Sequence, residues 1–362
     1  MKKHLYSYRP LDLTTIELDA LKIDSSELST RRRFLIGAGG LLGAAMLGAC
    51  GAGEETVVST ESTTEDGYPR TITHMSGETM LVNRPTRIFD VSYFGTWFLA
   101  SFNVTPIKYS SRSDRLNEFR SLAEAIGVEI DFVEFLDDDA INIESVVAAK
   151  PDLILGQVYH TEAVREELEA IAPVIDIPGN EDGDWRDRLR MIGDILGMTE
   201  NAETVIAETE AKLAAAAAPF DLQDASFAYV IPGLYDGNVP ICQDSAYGPV
   251  GVFSDAGLTM EPEIASLTGE VCTGVSLELL PETLQTTDLL VFVEFFSDTV
   301  SEEFLNNPIV AAMPAIEQER YVQFSGPTVQ TTALDVYSPA VVDLVLPIIR
   351  ETGKKYQSIR EQ

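Results

Sequence analysis

The sequence predicts an α/β protein of two Rossmann-like lobes, each with a mainly parallel sheet, joined by a single long rigid helix. Three observations predict it. Residues 199–218, TENAETVIAETEAKLAAAAA, are built largely from the strong helix formers Ala, Glu and Lys. Within them Ala202, Val205, Ile206, Thr209 and Leu213 recur at three- and four-residue steps along one face. On either side of this stretch short apolar β runs alternate with helical patterns, as in parallel sheets covered by helices. The 362 residues also suffice for two cores of about 130 to 150 residues each.

Each element has its own reason. In the first lobe, residues 68–183, strands are expected at 68–74 and 84–91, the second entered by a turn that Pro85 fixes. Further strands follow at 106–109, 130–133, 152–155 and 174–177, with helices at 93–102, 143–150 and 161–172. Pro151 stops the second of these helices. Residues 184–219 form the hinge. Its first helix, DWRDRLRMIGDIL, is amphipathic, with Trp185 as anchor, and Gly197 closes it. The second is the rod itself, with Thr199 as N-cap and Pro219 as terminator; about 20 residues at 1.5 Å each span roughly 30 Å. The second lobe, residues 220–362, opens with a strand at 226–231 and a Gly-rich loop at 232–240. A helix at 250–256, a buried strand at 288–293 and a last helix at 338–349 follow.

The formal charge of −33 opposes nucleic acid and anionic lipid as partners. It favours a basic protein partner and neutral or cationic ligands. Three histidines, His4, His74 and His160, lie far apart, and three cysteines form no C-x-x-C, which argues against an imidazole- or thiolate-built metal site. The rival class is an exported cofactor-dependent enzyme. Against it, the chain has no G-x-S-x-G elbow and no P-loop. Its one glycine-rich dinucleotide-like run, 37–43, follows no strand. A purely structural surface lipoprotein is a third class, and it predicts no cleft.

The amino terminus reads as an address. Thr30-Arg31-Arg32-Arg33-Phe34-Leu35 resembles the twin-arginine export signal, with Ile36 where lysine is frequent. The apolar run that follows is too short for a stable membrane span and ends in Leu47-Gly48-Ala49-Cys50, which resembles a lipobox. Residues 1–49 are thus expected to be a twin-arginine lipoprotein signal peptide, with Cys50 as the lipidated residue. Residues 50–67, rich in Ser, Thr and Glu, are expected to be a flexible tether. The folded body would then be held at the outer face of the cytoplasmic membrane by its Cys50 anchor in the lipid bilayer.

Several short runs, in order along the chain, carry a resemblance to a known family. The order Pro69-Arg70-Thr71-Ile72-Thr73-His74, then Arg84-Pro85-Thr86-Arg87-Ile88, is followed by Asn142-Ile143-Glu144-Ser145 and Lys150-Pro151-Asp152-Leu153-Ile154-Leu155. Near the far end stand Asn307-Pro308, Pro314-Ala315-Ile316 and Tyr321-Val322. Together they resemble the substrate-binding proteins of ABC importers for iron–siderophore complexes, the helical-hinge fold shared with cobalamin and haem binders. The resemblance spans roughly residues 68–349.

It implies a ligand cleft at the carboxyl ends of the strands, as in open α/β sheets generally. Tyr93, Trp97, Arg112, Arg115 and Tyr159 are the candidates from the first lobe; Tyr235, Tyr247, Phe295 and Tyr337 are those from the second. It implies no intrinsic cofactor and no metal bound directly by the protein. The ligand would be a ferric siderophore, with cobalamin or haem as alternatives. It also implies a monomer that docks on an ABC permease and its ATPase, through Glu144 in one lobe and Glu278 in the other. Glutamate at those positions equally suits a helix N-terminus. Cys242 and Cys272 share the second lobe on the oxidising side of the membrane; a disulfide and two buried thiols both remain open.

Overall fold

Strand and helix alternate along the chain, and the strands gather into two separate sheets around one set of long helices. The computed structural model describes residues 67–135, 140–179, 182–223, 225–233, 237–267, 271–294, 303–326 and 328–361. All of them belong to the unit Thr63–Gln362. The expected signal peptide, Cys50 and nearly all of the tether lie outside the described residues, as do Tyr235 and Phe295.

A short antiparallel hairpin, β1 (Arg70–His74) and β2 (Gly77–Leu81), comes first. The first main sheet holds β3 (Ile88–Asp90), β4 (Lys108–Ser111), β5 (Phe132–Glu134), β6 (Leu153–Gly156) and β7 (Val174–Asp176). All five are parallel, in the order β5-β4-β3-β6-β7. The central strands β3 and β6 are buried along their whole length, because helices cover both faces. Those helices are α1 (Gly95–Ala100), α2 (Leu116–Ala125), α3 (Ile143–Ala149), α4 (Val158–Thr161) and α5 (Arg165–Glu169). The chain leaves β3 toward β4 on one side and returns at β6 on the other. The order of the strands therefore reverses between β3 and β6, and the carboxyl ends of these strands are where open α/β sheets form their crevice.

Two helices follow the first sheet, α6 (Trp185–Ile195) and α7 (Thr199–Ala217). The Asp184 carboxylate accepts from the Arg186 and Asp187 amides, and Asp187 reaches back to the Asp184 amide, completing a capping box. Gly197, at φ 67°, ends α6 in the left-handed conformation that glycine adopts without strain.

The second sheet has six strands: β8 (Ser226–Val230), β9 (Asn238–Cys242), β10 (Thr259–Met260), β11 (Cys272–Ser276), β12 (Leu289–Glu294) and β13 (Tyr321–Ser325). Its order is β11-β9-β8-β12-β13, with β10 also on β8. It is mixed: β10, β12 and β13 join in parallel, whereas β9 pairs antiparallel with β8 on one side and with β11 on the other. The expected loop 232–240 thus already contains the start of β9. Pro240 hid it, because proline rarely sits inside a sheet. Here Pro240 stands just past the last β8–β9 pair and accepts from the Ile231 amide through its carbonyl. Cys242 and Cys272 face each other in register across β9 and β11 and form a disulfide.

The longer helices described in this lobe are α8 (Gly248–Asp255), α9 (Val329–Asp335) and α10 (Val342–Arg360). Sequence reading named neither α2 nor α9, and it ended the last helix eleven residues early. Helix α9 starts on a capping box of two threonines, Thr328 and Thr331. Helix α10 continues through Gly353, where a β-carbon would fall 2.3 Å from the Phe220 ring; only glycine lets the two segments approach so closely.

One apolar core runs continuously between the two sheets, and includes Trp97, Phe119, Leu189, Leu213, Phe253, Leu334 and Ile349. Two smaller cores line the far faces, one around Phe89, Ile154 and Val174, the other around Val230, Phe292 and Val310. Polar bonds reinforce the joint. Arg186 donates from Nη2 to Asp255 (2.8 Å) and from Nε to Glu210 (2.7 Å), tying α6 to α8 and α7. Trp185 Nε1 donates to the same Asp255 at 2.8 Å. Ser338 Oγ donates to the Trp97 carbonyl at 3.1 Å, joining the segment before α10 to α1.

Candidate functional site

The site grows from the turn after β3. Asp90, the last residue of that strand, is fully buried and its carboxylate accepts from the amides and hydroxyls of Ser92 and Thr96. Burial pushes its carboxyl up to about 6, against the pull of those bonds. A β-carbon at residue 95 would sit 2.8 Å from both the Asp90 carboxylate and the Ser92 hydroxyl, so Gly95 is required for the turn to close. The turn delivers Tyr93 to the crevice. Across the crevice, the Tyr93 amide donates to Gln157 Oε1, in the loop after β6, at 3.3 Å.

Arg115, the N-cap of α2 beyond β4, meets Tyr93 there. Its Nη1 donates to the Tyr93 hydroxyl at 2.9 Å, and its Nη2 to Asp335 Oδ2 at 2.9 Å. The Tyr93 hydroxyl in turn donates to Asp335 Oδ2 at 2.5 Å. Glu118 closes the group, with Oε2 2.7 Å from Arg115 Nε. Asp335 ends α9, so this cluster joins the two lobes. Burial opposes the Arg115 charge, but Tyr93, Asp335 and Glu118 outweigh it and hold the guanidinium above the ordinary arginine range. Burial pushes Glu118 up to about 7, with Arg115 pulling the other way. Burial likewise raises the Tyr93 phenol well above its ordinary value. Beneath the cluster, Arg115 lies 5.1 Å over the Phe119 ring, and Phe119 packs edge-on to Tyr93 at 5.5 Å.

Tyr159 stands at the other side of the crevice, 62% exposed on the one-turn helix α4, its ring edge-on to His160. A buried network holds that helix to the sheet. Asp176 accepts from Thr161 Oγ1 at 2.8 Å and pairs with Arg165 and Ser76. Gly156 makes room for it, since a β-carbon there would lie 2.4 Å from both Asp176 and Thr161. Arg112 pairs with Asp114 through two 3.1 Å bonds.

The structure therefore brings Tyr93 and Arg115 together and leaves Tyr159 open to solvent. It places three other candidates elsewhere. Trp97 (0% exposed), Tyr247 (4%) and Tyr337 (1%) point into the central core: Trp97 packs on Tyr109 and Phe119, Tyr247 on Tyr229, and Tyr337 on Trp185. Trp97 lies within α1, Tyr247 caps α8 and Tyr337 follows α9, so the sheet–helix interface takes these rings, because burial of a large aromatic outweighs exposure at a rim. Glu144 is exposed in the first turn of α3, which Asn142 caps at 3.0 Å. Glu278 is exposed in the turn after β11, ahead of a one-turn helix at Leu280–Thr283. An exposed aliphatic accompanies each, Val147 and Leu279.

Sequence reading placed Gln157 in a cleft-lining segment but missed Asp90, Glu118 and Asp335. Asp90 carried a signal, an Asp-x-Ser-x-x-x-Thr spacing at the end of an apolar strand. Asp335 carried none, since 220 residues separate it from Arg115.

A family profile described as periplasmic binding protein matches residues 104–324, more than half of the chain. Among curated proteins, a probable siderophore-binding lipoprotein YfiY of Bacillus subtilis is 24% identical over 180 residues, covering 48% of this chain and 51% of the relative. The iron(3+)-hydroxamate-binding protein YxeB of the same organism is 28% identical over 169 residues, covering 46% and 48%. The chain thus spans about half the length of the curated relatives it matches. Among solved structures, Streptococcus pneumoniae PiaA in complex with ferrichrome superposes with a TM-score of 0.66 at 18% identity, over 79% of this chain and 98% of that one.

Proposed function

The chain belongs to the periplasmic binding protein family, and we propose that it is the substrate-binding subunit of an ABC importer, which captures a ferric siderophore between its lobes and delivers it to the permease. The observation that carries this reading is the convergence of Tyr93 and Arg115 with Asp335 of the opposite lobe, at the crevice where the first sheet reverses its order. The curated relatives' names, one siderophore-binding and one hydroxamate-binding, support the ligand class.

In this reading residues 68–183 and 220–362 are the lobes and 184–219 the hinge. Tyr93, Arg112, Arg115 and Tyr159 contact the ligand from the first lobe. Tyr235 and Phe295, in the segments after β8 and β12, contact it from the second. The metal arrives inside its chelate, as cargo, and the protein works by binding rather than by catalysis. Residues 1–49 direct export and are removed, Cys50 is lipidated, and 50–67 tether a monomeric body to the outer face of the membrane. Glu144 and Glu278 dock on the permease.

Tryptophan fluorescence tests the reading, because Trp97 and Trp185, the two tryptophans of the chain, lie in the core that joins the lobes. The full chain in mild detergent would be titrated with ferric hydroxamates, ferric catecholates, ferric citrate, cobalamin and haem, with metal-free chelators as controls. Saturable quenching by one ferric class is expected, weakened about tenfold, or roughly 1.4 kcal/mol, by Tyr159→Ala. Response to cobalamin or haem alone would keep the receptor and change its cargo. No response to any would sink the proposal.

A further inference from the structure

Both arginines that lie beyond the carboxyl end of β4 already hold carboxylates of this chain. Arg112 has Asp114, and Arg115 has Glu118 and Asp335. The Arg115 contacts are largely screened from water: its side chain is 8% exposed, that of Asp335 12%. Asp335 Oδ2 accepts from both Arg115 Nη2 and the Tyr93 hydroxyl. Asp335 comes from the lobe opposite Arg115.

We propose that Asp335 sets the charge selectivity of the cleft: it occupies Arg115 as a built-in carboxylate, so that uncharged or cationic ferric chelates are admitted and polyanionic ones refused. The inference rests on the receptor reading above and names the cargo class within it. An anionic chelate reaching for Arg115 would have to displace Asp335, leaving that largely buried carboxylate without its cationic partner beside an incoming negative charge. A neutral chelate meets no such conflict, and it can use the exposed Tyr159 ring and the polar rim. The overall charge of −33 acts in the same sense, but at long range and subject to screening by salt. The two sources of discrimination are therefore separable.

The test titrates the full chain, in detergent, with a neutral ferric trihydroxamate and with the trianionic ferric complex of a tris-catecholate. Wild type, Asp335→Asn and Asp335→Ser would be compared with Asp343→Asn, which makes the same change in net charge on α10, outside the site. The ratio of affinities, anionic over neutral, is expected to rise about tenfold or more in both Asp335 variants and to stay within about twofold of wild type in the control. The wild-type preference for the neutral chelate is expected to persist in about 1 M salt, where the Debye length is about 3 Å; this readout needs no variant to fold. An unchanged ratio in the Asp335 variants, or a preference that vanishes in salt, overturns the assignment while the receptor reading stands. A wild type that prefers the anionic chelate does the same. Binding of neither chelate overturns the assignment, and it counts against the receptor reading only if every other member of the wider panel also fails to bind.

Discussion

Glu118 and Asp90 are carboxyls that the fold keeps from ionising at their ordinary pH. Burial is the cause in both, opposed at Glu118 by Arg115 and at Asp90 by the Ser92 and Thr96 donors. A carboxyl whose folded pKa is raised binds more protons folded than unfolded between the two values. Its contribution to stability is therefore complete in acid, and it is lost as pH climbs through the folded pKa, near 7 for Glu118. Glu118→Gln cannot ionise and lacks this dependence. Between about pH 5 and 8, wild type should lose on the order of 2 kcal/mol of unfolding free energy relative to the variant. Denaturant melts across that range measure it, and a pH-independent difference would mean that Glu118 titrates normally.

At the scale of elements, β9 and β11 carry the second sheet past the end of β8, and the disulfide pins the outermost strand to its neighbour. An edge strand of five residues gains little from its ladder alone. Closing a loop of this length, with the cysteines 30 residues apart, is worth about 3.6 kcal/mol in the chain-entropy model. Reduction, or the double change Cys242→Ala and Cys272→Ala, should lower the urea midpoint by a corresponding amount. Equal midpoints with and without reductant would show that the ladder suffices. Because β11 runs directly into the Glu278 turn, the bond also steadies that acidic residue.

For the whole molecule, the continuous core and the bonds from Arg186, Trp185 and Ser338 across it favour small lobe motions over wide hinge closure. A body this stiff presents Glu144 and Glu278 at a nearly constant separation, as the proposed docking on a permease through both lobes requires. Charge reversal at either, Glu144→Lys or Glu278→Lys, should cut iron uptake by cells about tenfold or more, since opposed charges at a docking face are costly. Chelate affinity in solution should stay within about twofold. Uptake at the wild-type rate in the double variant would remove the docking role.

Local pattern determined much of this protein. The alanine-rich rod, the capped α6, the apolar strands β3, β6, β8 and β12 and the two-lobe α/β class all follow from periodicity and composition, because each element's preference agrees with its place in the fold. Tyr93, Arg115 and Tyr159 were legible as strand-end residues for the same reason. Only the tertiary structure decided which candidate aromatics stay exposed, as Tyr159 does, and which, like Trp97, Tyr247 and Tyr337, are taken into the core. It also decided that Cys242 meets Cys272, that Pro240 ends one ladder inside a strand, and that Asp335 closes on Arg115 from the opposite lobe. Such contacts join residues far apart in the chain, and their energies depend on burial and on the partner's charge, neither of which a local pattern carries.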